Sequence, residues 1–439
     1  MIRLIPQKVT WEIEKKFSVS SNSLSLFHKI IVFLFVIIII NSNLYPSNLR
    51  VGDGKKFSSI QTAINSANIG DTIVVFPGIY KENNIKVKFP LTFIGIEKPI
   101  IDGEEKGYIF DVSNVDSFSI SGFELNNVGK SYTHDYSALH LFKVKKFRIT
   151  NNILNNPFFA LHIEKSKNGL ISDNVINGNA VDEISSGNGI HLWHSSKVEV
   201  INNKIYNMRD GIYFEFVKHS IVKDNESKFN LRYGLHFMFS NDDKYENNLF
   251  ENNGAGVAVM FSKYIFMRNN TFRLNWGTAS YGLLLKEIYD ADIINNVFEQ
   301  NTIAVNAEGS NRVNYEKNTF DNNGWAIRFL GACYGNKLLF NNFMHNAFDI
   351  SYNGRINGNL FDRNYWSEYT GYDLNKDGIG DIPYRPVKLF SYIVNRTPET
   401  IILLRSLFVD IINFSEKVSP IFTPDNLKDF NPLMKPNYD

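Results

Sequence analysis

Four of the nine histidines in this 439-residue chain stand third in short phrases of one pattern: ALHLF from Ala138, ALHIE from Ala160, GIHLW from Gly189 and GLHFM from Gly234. Three more phrases, GIYFE from Gly211, GVAVM from Gly256 and GLLLK from Gly282, keep the pattern with other residues in third place. Side chains alternate between the two faces of a strand, so the aliphatic or Phe residues in second and fourth place point inward and the third and fifth point outward. Laid side by side, the third residues form a column of His140, His162, His191, Tyr213, His236, Ala258 and Leu284. The fifth residues form another, of Phe142, Glu164, Trp193, Glu215, Met238, Met260 and Lys286, and His194 follows the column on its own phrase. Imidazole and thioether together suit a soft, exchangeable ion such as Cu(I), whereas structural zinc takes Cys and His, and calcium or magnesium take oxygen. The candidate ligands for transiently held copper are therefore His140, His162, His191, His236, Met238 and Met260. A face dressed with His, Tyr, Trp and Met also has the composition of a protein interface. The two readings are compatible, because a surface that hands over a metal must dock its recipient.

A second group is oxygen-rich. Asp373, Asn375, Asp377, Gly378 and Asp381 fit positions 1, 3, 5, 6 and 9 of a calcium loop, with the carbonyl of Ile379 at position 7. Position 12 is Tyr384 rather than a bidentate acid. The loop reads either as a structural calcium site or as an Asx-rich turn that needs no ion.

These columns exist only if the chain repeats, and it does. Phrases built on paired asparagines begin at Asn151, Asp173, Asn202, Asp224, Asn247, Asn269, Asn295, Lys317, Asn341 and Gly358. Their second residues are separated by steps of 22, 29, 22, 23, 22, 26, 22, 24 and 17 residues. A period near 22 means a solenoid. Between the phrases lie short runs of Ile, Val, Phe and Tyr broken by Asn, Asp, Gly and Ser, as in GIHLWHSSKVEVINNKIYN from Gly189. That pattern predicts three strands per coil and an all-β, right-handed parallel β-helix, with the extra residues of the longer coils bulging out as loops. Asparagine suits the corners because it tolerates left-handed backbone angles and can bond its own copy one coil away. Phe250, Phe272, Phe298, Phe320 and Phe361 are expected to stack as a column inside the coil.

The ends differ from the middle. Ile30 to Ile40 is an unbroken apolar run preceded by Lys15, Lys16 and Lys29, too short to span a bilayer comfortably but fitting a signal-peptide core. Residues 1–48 are read as a signal peptide or N-terminal anchor of an exported, periplasmic protein. Ile60, Ala63, Ile64 and Ala67 lie at the spacing of one helix face, which predicts a short helix capping the open first coil. The solenoid is placed at 49–365, the calcium-type loop at 366–386 and a helical tail at 387–439. In the tail, Thr397 is expected to cap a helix with Pro398 in its first position. The apolar residues from Ile401 to Phe414 must then cover something, either the last coil or a membrane permease. The formal net charge of +1 gives no footprint for nucleic acid. Cys333, the single cysteine, is expected to be a buried small residue.

Parallel β-helices include polysaccharide lyases and hydrolases. Glu164 and Glu215, the acids of the fifth column, stand two coils apart, about 10 Å at the spacing of sheet strands. That exceeds even the separation used for inverting glycoside hydrolysis. The N-T-D, G-H-G and R-I-K phrases of polygalacturonase-like enzymes are absent, and the D-D pair Asp242–Asp243 stands without them. No enzymatic activity is expected, and a carbohydrate-binding or polysaccharide-processing β-helix of the cell envelope stands as the alternative.

Several phrases are more specific than a generic β-helix. YGLHFMFS from Tyr233, GVAVMFS from Gly256, SYGLLLK from Ser280, NGWAIRFLG from Asn323 and NYWSEYTGYDLNKDGIGDIPYRPVKLFS from Asn364 resemble the NosD family of periplasmic nitrous oxide reductase maturation proteins. So does the closing stretch from Leu403, and the likeness runs from about Val51 to Pro436. The resemblance implies a non-enzymatic, exported accessory protein that works with an ABC-type permease and its ATPase in assembling the copper-sulfur centre of the reductase. Its implied partners are the apo-reductase and a copper donor protein, with membrane association through the permease.

Overall fold

A computed structural model describes residues 46–277, 280–355, 358–418 and 427–438. The leader read at residues 1–48 lies almost wholly outside the described residues. Three parallel sheets of 14, 12 and 13 strands wrap one interior, and each strand pairs with its equivalent one coil away. The coil is right-handed, as the 22-residue period predicts. Leu, Ile, Val and Phe fill the interior as one continuous cluster from Leu49 to Leu427.

The asparagine phrase makes the corner between the 14-stranded and 13-stranded sheets. Its first residue has φ between 53° and 57° in every coil from Asn151 on. Its second is a buried asparagine whose Oδ1 accepts from the asparagine of the coil before, as when Asn225 N and Nδ2 both donate to Asn248 at 3.0 Å. The last two coils correct the sequence count. The ladder runs on through Asn341 and Asn364, not Asn342 and Asn359. The final steps are thus 341 − 318 = 23 and 364 − 341 = 23 residues. Phe340 and Arg363 hold the left-handed position there, with φ of 56° and 53°. The corner imposes that conformation whatever the side chain, so the phrase is disguised where Asn is not used. Asn359 belongs to another corner, where it accepts from Asn336 N.

The internal aromatic column is corrected in the same way. Phe250, Phe272, Phe298 and Phe320 stack at 4.6–5.5 Å. The stack continues through Phe343 to Trp366, the last pair 4.2 Å apart. Phe361 is buried in a strand of the 14-stranded sheet instead. A second asparagine ladder, Asn230, Asn253, Asn275, Asn301, Asn323 and Asn346, lines the corner before the 12-stranded sheet. Serines line the third corner. Cys333 is buried at that corner in the place Ser310 holds one coil earlier, its Sγ on the carbonyls of Ala307 and Leu330 as Ser310 Oγ is on Leu285 and Glu308.

Helix α1, Ile60–Asn65, closes the first coil by burying Ile60, Ala63 and Ile64. Ser59 caps its start, and the Glu82 carboxylate accepts from the N–H groups of Ile60 and Gln61 at 2.7 and 3.0 Å. At the other end the single helix expected after Thr397 is broken. Helix α2, Leu389–Arg396, leads into a 3₁₀ segment, Pro398–Leu403, and then helix α3, Leu407–Val418. Thr397 makes no side-chain cap bond. Among the described residues, the two helices of this tail pack on the solenoid through a small cluster of Phe348, Phe390, Val394 and Val409. The closing segment 427–437 returns to the solenoid. Asp429 ends the asparagine ladder by accepting from Asn364 N at 2.9 Å and Nδ2 at 3.0 Å, and from Trp366 Nε1 at 3.1 Å.

Candidate functional site

The predicted columns form on the outer face of the 12-stranded sheet. His140, His162, His191, Tyr213, His236, Ala258 and Leu284 are register partners in that order. So are Phe142, Glu164, Trp193, Glu215, Met238, Met260 and Lys286. The column continues backward to Asp111, the partner of His140.

The third-place column is not open surface. His162 and His236 are each only 7% exposed. The cover comes from aromatic residues of the row just before the phrases, which the sequence reading passed over, and from Tyr108 one coil earlier. Phe159 lies 5.7 Å from His162 and 5.8 Å from His191 by ring centroids, Tyr233 lies 4.8 Å from His236, and Tyr108 stacks on His140 at 4.6 Å. Asp210 and Tyr233 are register partners, as are Ile212 and Leu235, with Gly211 and Gly234 unpaired between them. The glycine bends the strand so that the residue before it also faces outward. A Cβ on Gly211 would come within 2.6 Å of the Gly234 carbonyl oxygen of the next coil, so the bend is only available to a small residue. The signal that would have exposed this row is the recurrent Gly or Ala at the head of each phrase.

Tyr213 divides the column. On one side, His140 Nδ1 sits 2.9 Å from Asp111 Oδ1 while its Nε2 sits 3.3 Å from Glu164 Oε1. His162 Nε2 is 3.7 Å from that same Glu164 oxygen. Potential ligand atoms of His140, His162 and Glu164 all lie within 4.8 Å of one another. His191 stacks on His162 at 4.7 Å and meets the edge of Tyr213 at 4.6 Å. Beyond Tyr213, His236 lies 4.8 Å away by ring centroids. Met238 follows His236 by two residues on the same face of its strand, and Met260 is the register partner of Met238. Glu164, Asp111 and Asp210 are site residues the metal-ligand reading left out. Arg232 engages both Asp210 oxygens.

The charges follow from burial. Burial opposes a charge on His140, but the Asp111 and Glu164 carboxylates outweigh it and lift its pKa to about 9. The bond from His140 holds Glu164 below the usual carboxylate range. Burial pushes His191 well below the ordinary histidine value and His236 down to about 4. Burial also lowers His162, against the pull of Glu164. Among the described residues, neither ring nitrogen of His191 or of His236 has a hydrogen-bond partner. These are neutral imidazoles with free lone pairs, the form in which histidine binds metal.

His194 does not extend the column. It turns the corner with φ 48° and begins an exposed stack with Phe216, Phe239 and Phe261 at 4.5–5.2 Å. The calcium-type residues form a self-satisfied loop. Asp373 accepts from the N–H groups of Asp377 and Gly378, Asp377 from that of Ile379, and Asp381 from that of Leu374 at 2.8–3.2 Å. Asn375 joins through Asp377. Tyr384 points away from a ligand role, its backbone paired with Asp429 and its ring 5.2 Å from Trp366.

Two family models match the chain. One, described as "Periplasmic copper-binding protein (NosD)", covers residues 176–376, and the other, "Glycosyl hydrolases family 28", covers residues 42–225. A protein of Stutzerimonas stutzeri named "Probable ABC transporter binding protein NosD" is 26% identical over 72% of this chain and 76% of its own length. A protein of the same name from Pseudomonas aeruginosa is 25% identical over 76% of this chain and 82% of its own. Among solved structures, the A-module of the mannuronan C-5 epimerase AlgE6 from Azotobacter vinelandii superposes with a TM-score of 0.58 at 15% identity, covering 69% of this chain and 95% of that one. The surface adhesin PfbA of Streptococcus pneumoniae does so with a TM-score of 0.53 at 13% identity, covering 66% and 87%. An epimerase and an adhesin on one scaffold share the fold alone.

Proposed function

We propose that the chain is of NosD type, a reading supported by the family-model match at residues 176–376 and by relatives aligned over 72% and 76% of its length, and that it is an exported, non-enzymatic assembly factor. It works in the periplasm beside an ABC-type permease and its ATPase. Its cargo is Cu(I), taken from a donor protein and passed to the apo-form of nitrous oxide reductase for the copper-sulfur centre. The observation that carries the reading is the run of His191, His236, Met238 and Met260 within the matched segment, with imidazole nitrogens unpartnered among the described residues beside two thioethers in register. Neutral imidazole and thioether bind Cu(I) without holding it irreversibly, and exchange between such ligands needs no proton transfer. The exposed stack from His194 to Phe261 borders the methionines and offers a docking rim.

Anaerobic Cu(I) titration of the chain against its Met238→Leu, Met260→Leu double variant tests this. We expect at least tenfold weaker binding in the variant. Equal and negligible binding by both would remove the metal role and leave a docking scaffold. Calcium at Asp373, Asn375, Asp377 and Asp381 would be structural, raising the melting temperature in a chelator-sensitive way.

A carbohydrate-binding role is the second reading, favoured by the glycoside hydrolase match over residues 42–225 and by the half-buried Trp193 within it. It predicts retention on a glycan array that is lost in Trp193→Ala. No retention on any glycan would end it.

A further inference from the structure

We propose that the column holds a second and chemically different metal site, in which His140, His162 and Glu164 bind a borderline divalent ion of the Zn²⁺ class. The site stands apart from the Cu(I) reading, which rests on residues on the other side of Tyr213 and on His191.

Three observations converge on it. The first is the donor set. Two imidazoles and one carboxylate are the ligands of open, three-protein-ligand zinc sites, in which the fourth position of the tetrahedron is left to water. They lack the soft sulfur that favours Cu(I). The second is spacing. Around a tetrahedral ion with bonds near 2.1 Å, neighbouring ligand atoms stand about 3.4 Å apart. His140 Nε2 and His162 Nε2 lie 3.3 and 3.7 Å from Glu164 Oε1. All three residues offer atoms within a 4.8 Å circle, so modest ring rotation closes the set.

The third is the outer support. A ligating histidine usually gives its other ring N–H to a carboxylate, which fixes the tautomer and aims the free nitrogen. Asp111 does this to His140, at 2.9 Å from Nδ1, and so turns Nε2 toward Glu164. The arrangement is built by register: Asp111, His140 and His162 are successive partners across three coils, and Glu164 stands two residues beyond His162 on the same face. The NosD-matched segment begins at residue 176, after all four of these residues.

The test uses Co²⁺ as a spectroscopic stand-in for Zn²⁺ on the purified chain. We expect one equivalent of Co²⁺ with the intense visible absorption of four- or five-coordination, displaced by Zn²⁺. The Met238→Leu, Met260→Leu variant should behave like wild type. Glu164→Gln should lose at least 100-fold in affinity, while far-UV circular dichroism and the Cu(I) titration stay as in wild type. Asp111→Asn, which touches no metal, should weaken Co²⁺ by about 10–100-fold yet keep the one-to-one stoichiometry. A weak, octahedral aquo-type spectrum in wild type would overturn the site, as would wild-type affinity in Glu164→Gln. Failure of Cu(I) binding with Co²⁺ binding intact would sink the copper reading alone.

Discussion

At the scale of single residues, two histidines of one column are set to different charge states, one cationic and one neutral, by what touches them. His140, between Asp111 and Glu164, is lifted to about 9, so its stabilisation is complete below the unfolded value near 6.5 and fades as pH rises through about 9. His236, buried beside Tyr213 and Tyr233, is pushed to about 4. Below about 6.5 the unfolded chain takes a proton that the folded state refuses, so stability falls as pH drops toward 4, by about 3 kcal/mol for a gap of this order. Urea unfolding of the metal-free chain should therefore be most resistant near neutrality. His236→Leu should flatten the acid limb and Glu164→Gln the alkaline limb. An unchanged acid limb in His236→Leu would show that other groups govern acid lability.

At the scale of elements, the asparagine corner separates two roles that the sequence presents as one phrase. Asn248 accepts from two groups of Asn225 and donates to Val222 O and Asn270 Oδ1, all buried. Asn248→Ala strands a buried backbone N–H and should cost about 2–3 kcal/mol. Asn247, exposed at φ 55°, contributes mainly its tolerance of that angle, so Asn247→Gly should change stability by only a few tenths of a kcal/mol. Denaturant midpoints for the two variants check the contrast. Asp429 makes the same point at the end of the ladder. Asp429→Ala leaves Asn364 N and the Trp366 indole unpaired, and the last coils should exchange amide hydrogens faster while the first coils stay protected. Uniform protection would mean that the final coil needs no cap.

At the scale of the whole molecule, the coiled scaffold holds its chemistry along one sheet and its unmatched apolar surface at one end. Ile402, Leu407, Phe408, Ile411 and Phe414 are 54–86% exposed on the tail, far more than the last coil needs covered. Among the described residues no helix is long and apolar enough to cross a membrane. Under the permease-docking reading, replacing Phe408, Ile411 and Phe414 by Ser should abolish co-purification with the permease while leaving the melting temperature within a few degrees. Retained association would point to another surface. Truncation after Arg396 is a poorer test, because it also removes the Asp429 cap.

The sequence alone sets the coil, its three strands, the α1 cap and the order of the outward columns, because register in a parallel stack is set by a period that can be counted. It placed His140, His162, His191, His236, Met238 and Met260 on one face for the same reason. It lost the last two coils, where Phe340 and Arg363 take a backbone angle that the corner dictates and residue type does not reveal. Which of those histidines are covered depends on packing, since the row of Phe159, Asp210 and Tyr233 reaches outward through a bend at alanine or glycine that strict alternation does not foresee. Packing also joins Asp111 and Glu164 to His140 on one side of Tyr213, away from the thioethers on the other. The charge of His140 depends on neighbours one coil away, 29 and 24 residues distant in the chain, and distance in space is what a one-dimensional pattern leaves out.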